Sequence, residues 1–170
     1  VLRSDLGIGV IVNDEPFTYT VPADGNNSDL VLEFDGDTIF LIRNGTPVLT
    51  SPFSGAPMTI IGAAGVETSL TVRNLNGAVL PAGGLIFEGS GADRLGIQLA
   101  QLGEGVTYTN SSAGEGTINI DTAVITYSGL AAVEDFVIAG DRRFEFAGTA
   151  SQDVQLSDNL AQDARDVDLL

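Results

Sequence analysis

Histidine, cysteine, lysine and tryptophan are all absent from these 170 residues. Each absence removes a chemistry. Without His or Cys, serine–histidine and cysteine–histidine nucleophiles lack an essential member, and zinc, haem and iron–sulfur centres lose their usual ligands. Without Lys there is neither a Schiff base nor a P-loop. Zero Cys gives no disulfide framework, a state compatible with an extracellular protein that does without one. Positive charge is scarce: seven Arg stand against 23 acids, for a formal charge of −16. Such a surface repels nucleic-acid phosphates and an anionic membrane, so neither is expected as a partner. No run approaches 18 apolar residues, so membrane insertion by a helix is not expected either. Glycosidase-type catalysis by paired carboxylates is the enzyme chemistry left open, and here the acids are scattered.

What is present is β sequence. Leu6-Gly7-Ile8-Gly9-Val10-Ile11-Val12 and Phe17-Thr18-Tyr19-Thr20-Val21 are rich in branched and aromatic residues. Leu30 to Thr50 contains two turn dipeptides, Asp35-Gly36 and Asn44-Gly45, between apolar runs. These are favoured in two-residue type I′ turns, which need positive φ. They predict a three-stranded antiparallel meander over 30–50, with Pro47 placing its last strand at an edge. Further strands are expected at 58–61, 69–73, 85–88, 94–99, 105–109, 117–120, 123–127, 135–139, 143–147 and 153–157.

The later chain repeats itself. Phe87-Glu88-Gly89 and Phe146-Ala147-Gly148 are 59 residues apart, and each is followed by apolar alternation at the same distance. Ile60-Ile61-Gly62 leading to Leu70-Thr71-Val72 is a looser copy. Gly62 to Gly89 is 27 residues and Leu70 to Leu95 is 25. A period of roughly 25–30 residues suits a parallel β-solenoid, in which like positions stack. A β-sandwich is the alternative.

Gly89-Ser90-Gly91-Ala92-Asp93-Arg94-Leu95 resembles the calcium-binding nonapeptide of RTX β-rolls. Glu88 stands where the first glycine belongs. Such calcium lies between stacked turns, so the resemblance implies further ligands from neighbouring turns. Asp93, Asp153 and Asp158 are the metal candidates, and calcium is the only cofactor considered; a tight turn with a solvated Asp93 is the plainer reading. Three N-x-S/T sequons make Asn26, Asn44 and Asn110 glycosylation candidates. Asp141-Arg142-Arg143 holds the only basic pair, best explained by local ion pairing.

Leu30 to Asp158 also resembles the repeated modules of very large bacterial surface proteins of planctomycetes and other aquatic bacteria. The phrases that carry the likeness are Pro81-Ala82-Gly83-Gly84-Leu85-Ile86-Phe87-Glu88-Gly89, Val106-Thr107-Tyr108-Thr109-Asn110, Ile125-Thr126-Tyr127-Ser128-Gly129-Leu130 and Phe144-Glu145-Phe146-Ala147-Gly148. The resemblance implies an extracellular, acidic, β-helical building block.

The expectation is therefore an all-β protein. One domain spans 1–158: N-terminal strands at 1–29, the meander, and parallel β-solenoid coils over 58–158. An acidic connector or short helix follows at 159–170. With neither an initiator Met nor a signal peptide, the chain reads as a mature or excised piece. Its expected role is a non-catalytic, secreted or cell-surface structural module: a surface layer, adhesin or filament block. It would meet neighbouring modules or copies of itself through its termini, with residues 6–12 as a candidate added strand. A calcium-dependent or carbohydrate-binding adhesion module is the alternative.

Overall fold

The computed structural model describes residues 16–35, 38–52, 56–75, 80, 83–99, 105–120, 123–139 and 141–147. They form eleven strands and no helix. In chain order the strands are β1 (Phe17–Thr20), β2 (Ser28–Asp35), β3 (Thr38–Arg43), β4 (Thr46–Pro52), β5 (Met58–Ile61), β6 (Thr68–Leu75), β7 (Leu85–Gln98), β8 (Val106–Ser112), β9 (Glu115–Ile120), β10 (Ala123–Asp135) and β11 (Arg142–Phe146). All are hydrogen-bonded into one mixed, open sheet.

Four passes of the chain run parallel to one another. The first arm of each pass lies in β1, β5, the start of β7 and the start of β10, paired in that order. The second arm lies in β2, β6, the end of β7 and the end of β10. Corners connect the arms: residues 21–27 in the first pass, 62–67 in the second, 89–93 in the third, and Gly129 alone in the fourth. The expected strands 85–88 and 94–99 are thus one strand that changes partners midway. Between Glu88↔Ser128 and Asp93↔Leu130, four residues of β7 face the single Gly129 of β10. Such extra residues bend a strand and sharpen its twist. Gly129 has φ of 64°, and a Cβ there would lie 2.4 Å from the Gly89 carbonyl oxygen. Only glycine lets the two backbones meet at this corner.

Period-2 alternation places one side of each arm inward. Tyr19, Ile60, Phe87 and Tyr127 occupy one lateral row of the first arms. Leu30, Leu70, Leu95 and Val133 occupy a row of the second arms. Leu70 and Leu95 are partners, as the 25-residue spacing predicts. Together with Leu32, Val72, Leu85 and Ile97 these rows belong to the buried core, apart from the half-buried Tyr19 and Val133 packed against it. The outer row of the first arms reads Thr18, Thr59, Ile86 and Thr126, continuing through Thr117 and Thr109. Threonine fits a pleated, solvent-facing surface.

Antiparallel hairpins extend both stacks. β2, β3 and β4 form the expected meander, and Asn44 with φ of 49° and Gly45 with φ of 76° make its turn. β4, which carries Pro47, pairs on one side only among the described residues. The first strand of the meander is also the second arm of the first pass, so the meander and the parallel strands share one sheet. At the other end β10, β9 and β8 form a second meander that the sequence reading missed; residues 106–128 run as hairpins rather than as coils. The turn at Ala113-Gly114 has no Asn-Gly or Asp-Gly dipeptide to announce it. β11 then pairs parallel to β8. The expected strand at 135–139 stops at Asp135, although Phe136 and Ile138 still donate backbone hydrogen bonds to Ile97 and Leu99. The expected strands at 6–12 and 153–157, and the 159–170 segment, lie outside the described residues.

Candidate functional site

Asp93 is the sequence-predicted ligand that the structure describes most fully. It is not the solvated turn residue of the plainer reading: its exposure is 0%. Its Oδ1 accepts from the Thr68 amide at 2.7 Å and its Oδ2 from the Ser90 amide at 2.8 Å. The Ser90 hydroxyl lies 3.3 Å from both oxygens. A Cβ on Gly62 would fall 2.1 Å from Oδ2, so the missing side chain is what admits the carboxylate. Asp93 thereby ties the corner of the second pass to that of the third. A buried carboxylate is tolerable when backbone amides satisfy it. The Thr68 hydroxyl beside it is buried without a partner. Asp153 and Asp158 lie outside the described residues, and no three acids converge on a common cation position among the described residues.

The sequon residues are placed differently from one another. Asn26 is exposed in the first corner, with its amide N–H donating to Asp24. Asn44 sits at the hairpin turn, where its Oδ1 accepts from the Asp29 amide at 2.8 Å. Asn110 is half-buried, and its Oδ1 accepts from the Tyr127 hydroxyl at 2.5 Å. That bond reaches across β9 because Gly116 presents no side chain in the way.

Arginines cross-link neighbouring passes along the outside. Arg73 pairs with Glu33, and Arg94 with Glu67 at 3.1 Å and Glu134 at 3.6 Å. Exposed pairs of this kind add at most about 1 kcal/mol each. The only basic pair is locally satisfied: Arg142 binds Asp135 at 2.8 Å and Arg143 binds Glu145 at 2.8 Å. Arg142 also donates to the Val137 carbonyl. The Asp135 and Arg142 cluster abuts the buried Tyr108 hydroxyl. Burial first, and then the Asp135 charge, push that phenol well above its ordinary range. Burial also raises Tyr127.

Among the described residues, β1 and β11 are the two edge strands of the series of first arms. The row through Met58 and Leu85 continues across the second meander as Ile125, Ile118, Tyr108 and Phe144. Tyr108 and Phe144 stack with ring centroids 5.0 Å apart. The row through Phe87 continues as Tyr127, Gly116, Asn110 and Phe146. Each row is buried along its middle and emerges at β11, where Phe144 is 39% and Phe146 45% exposed. At the opposite end the same rows finish in Phe17 and Tyr19 of β1, both half-buried. The sequence reading singled out none of these as a site. The signal was available in the alternation of Arg142-Arg143-Phe144-Glu145-Phe146, but only pairing shows that nothing covers it among the described residues. This geometry suits association through shape and backbone pairing.

No family model, curated protein or solved structure matches this chain.

Proposed function

We propose that the chain is a non-catalytic structural module of the bacterial cell surface, a building block of a surface layer, adhesin or filament. In this reading the four parallel passes form a short β-solenoid. Each pass shields only its neighbours, so stability accumulates by stacking and the two ends remain available for protein contact. The observation that carries the reading is the pair of inner rows that cross seven strands and end at β11 in half-exposed aromatics with no further strand beside them among the described residues. The described interior is occupied by the chain's own aliphatic and aromatic side chains, and its buried carboxylate is engaged by the fold's own amides. Those features serve shape rather than turnover. The surface resemblance and the acidic composition point to the same setting.

The test is immunogold labelling of intact cells together with electron microscopy of the native material. Label on the outer surface, over a periodic layer or fibre, is expected. Label confined to the cell interior would overturn the proposal. Thermal unfolding with and without calcium examines the Asp93 turn separately. A calcium-dependent rise in Tm that Asp93→Ala abolishes would assign it a ligand role; an unchanged Tm is expected if Asp93 serves only the two corners.

A further inference from the structure

We infer that copies of this chain stack head to tail, with β11 of one copy adding to β1 of the next and continuing the inner rows of the sheet. Three observations converge on this second copy as the partner.

The first is direction. β1, β5, β7 and β10 are mutually parallel, β9 reverses, and β8 and β11 reverse back. The two edge strands of the first arms therefore point the same way. Joining them gives a parallel pair like those inside the molecule.

The second is register. Phe144 lies in the row that begins at Phe17, and Phe146 in the row that begins at Tyr19. Setting Phe144 beside Phe17 of the next copy sets Phe146 beside Tyr19 at the same time. The outward Glu145 then stands beside Thr18. No side chain changes face, which a one-residue slip would force.

The third is coverage. Large side chains in mid-row, such as Phe87 and Ile125, are fully buried because a strand flanks them on each side. Phe144, Phe146, Phe17 and Tyr19 lack that second neighbour among the described residues. A two-fold contact of β11 with β11 would cover the first pair and leave Phe17 and Tyr19 uncovered. The head-to-tail contact covers both edges with a single kind of joint, and because its two surfaces differ it propagates into an open series.

Because the chain has no cysteine, full-length Thr18→Cys and Glu145→Cys variants report the contact directly. Facing residues on paired strands lie within disulfide reach. Under oxidising conditions an equimolar mixture of the two single variants should give a covalent dimer. The double variant should give a ladder of dimer, trimer and higher species, while each single variant alone should stay monomeric. Circular dichroism of each variant checks that the β fold is kept. Phe146→Arg added to the double variant should remove the ladder. If the single variants cross-link with themselves as readily as the mixture does, the contact is two-fold and the inference fails. It fails equally if the double variant gives no ladder at any concentration, as when a copy's own residues 6–12 cover β1. The inference rests on the scaffold reading for its biological setting, and the two can fail apart. A ladder from a protein labelled inside the cell would retain the stacking and reject the surface role. Surface label without a ladder would do the reverse.

Discussion

Phe87 and Phe146 occupy the same lateral row of one sheet, four pairings apart. Their surroundings nevertheless differ completely. Phe87 is 0% exposed, flanked by Ile60 and Tyr127. Phe146 is 45% exposed, flanked on its described side by the polar Asn110. The sequence phrases Phe-Glu-Gly and Phe-Ala-Gly are near copies, yet one packs the core and the other marks an end. In a stacked sheet the value of a residue is set by how many strands flank it, and the local pattern does not contain that number.

The sharpest test of this comparison is a matched pair of truncations. Phe87→Ala should destabilise the protein by about 3–5 kcal/mol, the range for emptying a fully packed aromatic position. Phe146→Ala in the monomer should cost under about 1 kcal/mol, since much of the ring is already in water. Urea unfolding measures both, and equal losses would remove the distinction between middle and end.

Corner variants come next. Gly129→Ala combines a positive φ with a Cβ 2.4 Å from the Gly89 carbonyl oxygen, and should cost about 2–4 kcal/mol. Asp93→Ala leaves the Thr68 and Ser90 amides without their acceptor and should cost about 2–4 kcal/mol. A loss below about 0.5 kcal/mol, typical of surface changes, would mean that water replaces the carboxylate and that the corners are not pinned by it.

The alkaline limb of stability separates the second meander from the rest. Tyr108 and Tyr127 hold their protons above the ordinary value of 10. The unfolded chain releases those protons near pH 10 while the folded chain retains them. Their contribution is therefore constant below pH 10 and stability is lost as pH rises beyond it. Each tyrosine adds a slope of at most about 1.4 kcal/mol per pH unit. Tyr108→Phe should flatten that limb and leave stability at pH 7 unchanged or slightly higher, because its hydroxyl is buried without a hydrogen bond. An unaltered limb would show that the phenol is not shielded.

The smallest expected effect lies at the first corner. Arg43 and the Asn26 amide hold the Asp24 carboxyl below its ordinary range. Its contribution is present above that range and fades as pH falls through the lowered value. Asp24 is on the surface, so Asp24→Asn should change the acid limb by an amount near the limit of detection. A large change there would make the first corner more important than its exposure suggests.

The two kinds of connection were not equally legible. Asn44-Gly45 announces its own hairpin, because the turn requires positive φ at both residues. β2, β3 and β4 could therefore be read directly. The Ala113-Gly114 hairpin carries a weaker signal, so the second meander is evident from strand pairing and not from its turn. The parallel pairing of Leu70 with Leu95 was legible from spacing, because the two passes are nearly equal in length. Tyr127 partners Phe87 from 40 residues away, and the intervening hairpins hid that relation from any fixed period. Among the candidate ligands, the residue type at 93 was noted, but its burial depends on Gly62, 31 positions earlier. No local window contains both.

Residue chemistry alone determined that the chain is all-β, that it lacks the groups for most nucleophilic and transition-metal chemistry, and that hairpins form where turn dipeptides stand. These properties follow from φ preferences and alternation within a few residues. Tertiary structure alone decided which aromatic is core and which is edge, that β7 and β10 each serve two stacks, and that Asp93 faces inward. Those outcomes depend on which distant backbone lies alongside, and that choice is made by packing whole strands together rather than by any segment's own preference.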